Sequence, residues 1–125
     1  MILNRMYLRD TNAALIVYDV TRRESMEQAE QWIQELKETA PEQCILALAG
    51  NKMDEGSRQV QMQDGQGLAR KHDIKIISET SGKSGENVDQ LFQRLAQTCY
   101  EKRDTFVSAF DSSFVVMIAY FLIIL

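Results

Sequence analysis

The stretch AALIVYDV, from Ala13 to Val20, decides the predicted fold. Seven of its eight residues are apolar, and β-branched and aromatic side chains are frequent among them. A short and nearly continuous apolar run is typical of a strand that is buried on both faces, as in a parallel sheet. Similar runs follow at Cys44 to Ala49 (CILALA) and, more briefly, at Ile74 to Ile77. The sequence therefore predicts three buried strands.

Helical periodicity fills the segments between and after these strands. The first predicted helix starts near Ser25, which has capping-box spacing to Gln28, and ends at Pro41. Its apolar stripe consists of Met26, Ala29, Ile33, Leu36 and Ala40. A weaker helix is predicted over Gln61 to His72, where Gly65 and Gly67 interrupt the pattern and Leu68 and Ala69 face inward. The third helix is strongly amphipathic, with its stripe at Val88, Leu91, Phe92, Leu95, Ala96 and Cys99.

Alternation of strands and helices predicts an α/β fold, with a parallel sheet, flanking helices and right-handed crossovers. The 125 residues suffice for one domain, and the formal net charge of −4 comes without a basic block. A nucleic-acid partner is therefore not expected. Cys44 and Cys99 lie in apolar stretches and are predicted to be buried free thiols in a reducing compartment. The first ten residues do not resemble a cleavable signal peptide.

Two polar loops follow the second and third predicted strands. Asn51-Lys52-Met53-Asp54 comes directly after CILALA, and residues 79–83, Glu-Thr-Ser-Gly-Lys, come after the third strand. In parallel α/β sheets, ligands bind just beyond the carboxyl ends of the strands. A simpler interpretation, a solvated turn and a flexible loop, accounts for each motif alone but not for the pair. Catalytic and metal-ligating residues are not predicted, and the lone His72 is interpreted as a surface helix cap.

The two loops resemble the base-recognition motifs of small GTPases, N-K-x-D and the S-A-K loop, in the same order. Residues 6–9 and 14–21 resemble the segment after switch II in Rab proteins, and residues 47–52, ALAGNK, are most similar to the early-endosomal branch of Rabs. The resemblance extends from Met6 to about Lys102. It implies a partial P-loop NTPase (small GTPase) fold and a guanine-nucleotide-binding protein of vesicle transport, cytoplasmic and associated with endosomal membranes.

Guanine recognition suits the residue types in these loops. A carboxylate in the base plane accepts two hydrogen bonds from guanine, at N1–H and the exocyclic amine, whereas adenine offers an acceptor at N1. By resemblance, Asp54 provides this carboxylate, Asn51 ties the loops together, and the Lys52 stem covers one base face. Also by resemblance, Ser81 supports the Asp54 loop, the Gly82 amide donates to guanine O6, and the Lys83 stem covers the other face. Gly82 stands where the family has alanine.

The phosphate-binding half of the family pattern has no match in this sequence. Upstream of the first predicted strand we find no G-x-x-x-x-G-K-[ST] loop, no switch I threonine and no switch II D-x-x-G motif with its glutamine, so ligands for Mg²⁺ are not expected here. Hydrolysis depends on these groups, so we expect none from this chain, although the family is a GTP hydrolase. Because the same groups bind the phosphates, we also expect GTP or GDP binding to be weak. In the family's sheet, the strand that matches Ala13 to Val20 lies beside the strand that carries the P-loop. Without that neighbour, an exposed edge and marginal stability are expected.

The C-terminal segment departs from the family pattern. Residues 1–104 are predicted to form the half-domain and residues 105–125 an apolar tail, without the cysteines that Rab proteins usually prenylate. The last twelve residues, from Phe114, are all apolar, and as a helix they would span about 18 Å, less than the roughly 30 Å of a membrane core. Three interpretations remain open: a membrane anchor or insert, a read-through or alternative-splice tail without a role, and a tail folded back over the sheet.

Three functional interpretations also remain. In the first, the chain is one half of a Rab-type GTPase and binds guanine nucleotide and Rab effectors or regulators. In the second, it is a truncated isoform that acts as a non-enzymatic interaction module and contacts a membrane through its tail. The third is an incomplete gene model of a full Rab. The compartment, effectors and exchange factor depend on switch regions that the sequence does not contain.

Overall fold

The structure, a computed structural model, describes residues 11–40 and 42–102 and the backbone of residues 115–120. Its strands are β1 (Thr11–Asp19), β2 (Ile45–Asn51), β3 (Ile76–Glu79) and β4 (Val115–Tyr120). Its helices are α1 (Arg23–Thr39), α2 (Met62–Lys71) and α3 (Val88–Glu101). In the described parts of the chain, the four strands form one sheet in the order β3-β2-β1-β4, and every pair is parallel. The predicted α/β fold with a parallel sheet and flanking helices is confirmed.

β1 is the centre of the fold. All nine of its residues are buried, and Ala13 to Asp19 pair in continuous register with Ile45 to Asn51 of β2. Since successive side chains of a strand point to opposite faces, β1 contributes to a separate apolar cluster on each side of the sheet. This double burial explains why AALIVYDV does not alternate between apolar and polar residues.

Helices cover both faces of the sheet. On one face, α1 and α2 pack against even-numbered β1 residues, with Ile16, Ile33 and Leu48 among the most deeply buried side chains. On the other face, α3 packs against odd-numbered β1 residues and β2 through Leu91, Leu95 and Cys99. The two clusters give the doubly wound arrangement that the alternating pattern predicts.

All three predicted strands exist, but their bounds differ from the prediction. β1 was predicted over Ala13 to Val20, and it begins two residues earlier and ends one earlier. β2 runs on through Gly50 and Asn51, so the first residue of the N-K-x-D motif is still part of the strand. β3 was predicted over Ile74 to Ile77 and lies two residues later, because Ile74 belongs to the turn that follows α2.

The start of α1 differs from the prediction. The helix begins at Arg23 with Arg22 as N-cap, so Ser25 is already inside its first turn and does not form the predicted capping box. The Ser25 hydroxyl instead accepts a hydrogen bond from the Asp19 amide at 2.8 Å and lies within bonding distance of the Asp19 and Arg22 carbonyl oxygens. Ser25 therefore ties the first turn of α1 to the end of β1.

The amphipathic stripe of α3 is narrower than predicted. Leu91, Leu95 and Cys99 are buried, but Ala96 is exposed and the Phe92 side chain remains 43% exposed. In α1, the predicted stripe residues Ala29, Ile33 and Leu36 are buried together with Trp32. The central residues of the predicted apolar faces are thus confirmed as buried, whereas some residues at the margins of these faces are exposed.

The two cysteines are free thiols. Cys99 is buried as predicted, whereas Cys44 is only half-buried. Burial raises the pKa of the Cys44 thiol to about 12 and also raises the pKa of Cys99. Because the thiolate is the reactive form, neither cysteine is suited to nucleophilic chemistry at neutral pH.

The C-terminal segment contributes a strand to the same sheet. β4 pairs with β1 on the edge opposite β2. The division into a half-domain of residues 1–104 and a tail of residues 105–125 stays a prediction. Within the residues that the structure describes, no helix is long and apolar enough to cross a membrane.

Gly65 is one of two glycines that weaken the helical pattern of α2 in the sequence, and the structure explains why it is there. A Cβ atom at this position would collide with the hydroxyl oxygen of the buried Tyr18, whereas a Cβ at Gly67 in the same helix would meet nothing within 4 Å. Gly65 therefore allows the close approach of α2 to β1 and does not interrupt the helix. Gly67 is exposed and has no comparable role.

We predict opposite effects for alanine at these two glycines. Gly65→Ala should lower the free energy of unfolding by about 1–3 kcal/mol, because the added methyl group overpacks the contact with Tyr18. Gly67→Ala should raise it by roughly 0.5–1 kcal/mol, since alanine is the better helix former. Urea denaturation followed by circular dichroism measures both.

Tyr18→Phe provides the matched test of this contact. Removal of the hydroxyl should relieve most of the Gly65→Ala penalty, because the next atom of the ring, Cζ, lies at 3.3 Å from the added Cβ. It should not relieve Gly50→Ala, whose Cβ would still lie 2.8 Å from Cζ and 3.0 Å from Cε2. Equal rescue of both variants would contradict the assignment of the hydroxyl as the clashing group.

Candidate guanine-binding site

The two predicted loops lie side by side at the carboxyl end of the sheet. Asn51 is the last residue of β2, and its Oδ1 accepts hydrogen bonds from the Gly82 amide at 3.0 Å and the Thr80 hydroxyl at 3.3 Å. The Met53 amide donates to the Thr80 carbonyl at 3.1 Å. The two loops therefore converge at one end of the sheet, and Asn51 ties them together as the resemblance implied.

Lys52 is held in an unusual backbone conformation. Its φ of 67° lies in the left-handed region, which non-glycine residues seldom adopt. Its Nζ lies 3.0 Å from Oδ2 of Asp19, the last residue of β1. Burial opposes ionisation of Asp19, but hydrogen bonds from Thr21 and Lys52 outweigh it and hold the pKa of this carboxyl below its usual range. The ion pair thus orients the Lys52 stem along the end of the sheet.

Asp54 and Lys83 differ from Lys52, the other exposed charged residue of the motifs, which pairs with Asp19. Both are exposed, and neither side chain has a hydrogen bond or an ion pair to any residue in the described part of the chain. The carboxylate of Asp54 is therefore accessible on the same side of the sheet as the linked loops. Its role in guanine binding stays a prediction, as do the roles of the other motif residues.

Ser81 is fully buried and shapes its own loop. Its Oγ accepts a hydrogen bond from the Ser84 amide at 3.0 Å, and its backbone bonds to Gly85 and Glu86. The support of the Asp54 loop by Ser81 stays a prediction, because the described hydrogen bonds of Ser81 lie within its own loop. The Thr80 carbonyl does bond to the Asp54 loop, at the Met53 amide.

Gly82 presents its amide at the junction of the loops. The amide already donates to Asn51 Oδ1, so a donation to guanine O6 would have to share or replace this bond. A Cβ on Gly82 would meet only the Asn51 amide group, at 3.8 Å, which is ordinary van der Waals contact. The alanine of the family pattern would therefore fit at this position.

A partly buried ion pair anchors the second loop. Arg58 binds both carboxylate oxygens of Glu79, at 2.7 and 2.9 Å, and also donates to the Val60 carbonyl. The Glu79 side chain is only 5% exposed, and its carboxylate raises the pKa of Arg58. Asn87 Nδ2 donates to the Glu79 carbonyl at 2.8 Å. Burial, followed by the charge of Glu79, raises the pKa of nearby Tyr18 to about 12.

His72 caps the end of α2 as predicted, but its side chain is only 10% exposed and not on the surface, and it also links two helices. Its Nε2 lies 2.8 Å from Oε2 of Glu30 in α1, and Lys71 Nζ lies 2.7 Å from the same oxygen. Hydrogen bonds from Lys71 and then His72 lower the pKa of Glu30. A search of the described residues finds no group of three or more His, Cys, Asp or Glu side chains that could hold a metal ion.

One known protein family matches most of this chain. The model of the Ras family matches residues 1–101, which include both loops and all three helices. The chain belongs to the Ras family. The matched region ends at the last residue of α3, so β4 lies outside the Ras-family match.

Curated relatives of this Ras-family chain carry Rab-type names. The GTP-binding protein ypt5 of Schizosaccharomyces pombe is 43% identical over 94 residues, covering 74% of this chain and 44% of the relative. Mouse Ras-related protein Rab-31 is 40% identical over 93 residues, covering 74% of this chain and 47% of the relative. A Rab-5B protein of Dictyostelium discoideum is 37% identical, covering 79% and 46%. The chain thus spans slightly less than half the length of these relatives, and the resemblance to Rab proteins is confirmed.

Sequence reasoning missed the residues that hold the motifs in place. Asp19, Arg58 and Asn87 are not part of either motif, and Glu79 was quoted as the start of a loop without a role. The Arg58–Glu79 pair joins residues 21 positions apart, so no local spacing reveals it. The one available signal is Glu79 itself, since a charged residue directly after a buried apolar strand needs a partner.

We predict that loss of Arg58 destabilises the second loop and the fold. Arg58→Met leaves the buried Glu79 carboxylate without its opposite charge, and the free energy of unfolding should fall by about 3 kcal/mol. Chemical denaturation measures the loss, and amide exchange at Thr80 and Ser81 should accelerate. The exposed pair of Arg23 and Asp64 is the matched control, and Arg23→Met should cost less than about 1 kcal/mol.

The double variant Arg58→Met/Glu79→Met separates pairing from packing. Removal of both charges should restore part of the stability, because no unpaired buried charge remains. Should the double variant lose as much as the sum of the two single losses, the ion pair would not be what holds this loop.

Proposed function

We propose that this chain carries the guanine-reading part of a Rab-type GTP-binding protein that acts in vesicle transport. The observation that supports this most strongly is the hydrogen-bonded junction of the two motifs, in which Asn51 accepts from Gly82 and Met53 donates to Thr80. Ras-family membership and relatives named as GTP-binding and Rab proteins support the same function. By the same resemblance, we propose a cytoplasmic protein associated with endosomal membranes and with Rab effectors or regulators.

Base recognition is proposed to rest on Asp54. Its exposed carboxylate can accept hydrogen bonds from guanine N1–H and the exocyclic amine at once, and a good bidentate base contact discriminates by about 1–3 kcal/mol. We propose that the Lys52 stem, held by Asp19, and the exposed Lys83 stem cover the two faces of the base. Adenine would present its N1 lone pair to the carboxylate and leave this group unpaired.

Phosphate binding requires groups other than those of the two loops. A nucleotide's phosphates and Mg²⁺ are normally held by a glycine-rich loop at a helix N-terminus, a lysine and hydroxyl ligands. The pattern G-x-x-x-x-G-K-[ST] does not occur in these 125 residues, so the chain by itself is proposed to bind GTP or GDP weakly. We propose that full affinity requires a phosphate-binding segment supplied by a longer form of the protein.

We predict weak binding that still prefers guanine. Isothermal titration calorimetry on the soluble chain should give a lower Kd for GDP than for ADP, by roughly 5- to 150-fold, which corresponds to about 1–3 kcal/mol. Asp54→Asn should remove this preference, because an amide nitrogen cannot accept from the exocyclic amine. The same variant should gain affinity for xanthosine diphosphate, whose C2 carbonyl accepts from that nitrogen.

Two results would contradict the guanine assignment. One is equal affinity for GDP and ADP in the unmodified chain, and the other is an unchanged preference in Asp54→Asn. The neighbouring variant Glu55→Gln controls for the change in net charge, because Glu55 is exposed and lies outside the motif. It should leave the preference intact.

We also predict no GTP hydrolysis by the 125-residue chain. Catalysis of phosphoryl transfer depends on positioning and charge neutralisation around the γ-phosphate, and neither loop supplies these groups. Phosphate release should not exceed that of Asp54→Ala or Lys52→Ala, with or without a GTPase-activating protein. Release clearly above both variants would show that residues of this chain take over the phosphate chemistry.

A further inference from the structure

The free edge of β1 is occupied by a strand from the far end of the chain. β4 pairs in parallel with β1, and the register runs from Thr11 with Val115 to Val17 with Tyr120. One irregularity, between Thr11 and Ala13, shifts the register near the start, after which the pairs are consecutive. The register partners are 103 or 104 positions apart in the sequence, so local sequence preferences cannot produce this pairing.

We propose that the C-terminal segment is an intramolecular strand donor, whose docking site is the edge of β1. Its occupant is β4 of the same chain, and its role is to complete the sheet rather than to enter a membrane. The edge of β1 lies outside the guanine loops, and its pairing with β4 does not depend on nucleotide binding.

The chemistry of both partners supports this assignment. An open edge on β1 would leave alternate backbone N–H and C=O groups of a fully buried strand without partners, which makes an edge prone to aggregate. The β4 sequence VVMIAY is uncharged, and four of its six residues are β-branched or aromatic. Such residues have high strand propensity. The segment therefore supplies the backbone partners that β1 needs at this edge.

Parallel pairing also has a consequence for the site. Because β4 runs in the same direction as β1, its carboxyl end lies at the same end of the sheet as Asp19, Asn51 and the second loop. An edge of one strand accepts a single neighbour, so any other strand that pairs with β1 there must first displace β4. The docking edge is therefore exclusive, and one end of it lies at the end of the sheet that carries the motifs.

Disulfide trapping tests the register. Neighbouring strands lie about 4.8 Å apart, within the Cα separations that a disulfide spans, and register partners of a parallel pair project to the same face. In a background with Cys44→Ala and Cys99→Ala, we expect Ala14→Cys with Met117→Cys to form a disulfide under mild oxidation. Ile16→Cys with Ala119→Cys is a second register pair and should behave alike. The offset pair Ala14→Cys with Ile118→Cys should form none, since its two positions face opposite sides.

The products distinguish the possible occupants. A cross-linked monomer, in a yield independent of protein concentration, supports the intramolecular strand. A disulfide-linked dimer would overturn it in favour of a strand exchanged with a second copy. Loss of the cross-link when phosphatidylcholine vesicles are added, together with flotation of the chain, would overturn it in favour of membrane insertion.

Amide hydrogen exchange on the unmodified chain provides a test without substitutions. Successive N–H groups of a strand point to opposite neighbours, so a strand paired on both edges is protected at every residue. We expect slow exchange at each amide from Ala14 to Val17. Alternating fast and slow amides over these residues would show that only β2 is paired with β1, and would overturn the proposal.

Discussion

Seven consecutive register pairs join β1 to β2, and the positions of the motif residues follow from them. The last pair sets Asp19 beside Asn51, which brings the next residue, Lys52, within 3.0 Å of the Asp19 carboxylate. The pairing of β2 with β3 then sets Gly50 beside Glu79 and the second loop beside the first. A slip of one residue would move every side chain of β1 to the opposite face, exchanging its two apolar clusters. The double burial of β1 therefore fixes the geometry of the candidate site.

Polar contacts at this end of the sheet hold the two loops in a defined arrangement. Arg58 holds Glu79 through both carboxylate oxygens, and Asn87 holds the Glu79 carbonyl, so the second loop is fixed on two sides where it leaves β3. Asn51 then fixes the loop at Gly82. Asp54 and Lys83 remain exposed beyond this framework. A framework of hydrogen bonds and ion pairs beneath exposed charged residues is the arrangement that pre-organised ligand recognition requires.

Sequence patterns predicted the elements of this fold because β1, β2 and the helices have strong periodicity of their own. The exact bounds depended on contacts between elements: the end of α2 turns back through Ile74, which delays β3, and Ser25 binds Asp19 rather than a neighbouring amide. Gly65 suggested an interrupted helix in the sequence. In the structure a glycine is needed there, because a Cβ atom would collide with the Tyr18 hydroxyl. The motif residues were recognisable from resemblance, but Arg58 and Asp19 were not, because their partners are distant in sequence.

Strand pairing at the edge of β1 also bears on how the candidate site could bind phosphates. In the family pattern that the chain resembles, the neighbour of this strand is the one that carries the phosphate-binding loop. In this structure β4 lies beside β1 on that edge, with its carboxyl end at the same end of the sheet as the guanine motifs. The two strands cannot pair with the same backbone groups at once. A strand of that kind would therefore have to displace β4 before it could pair with this edge of β1.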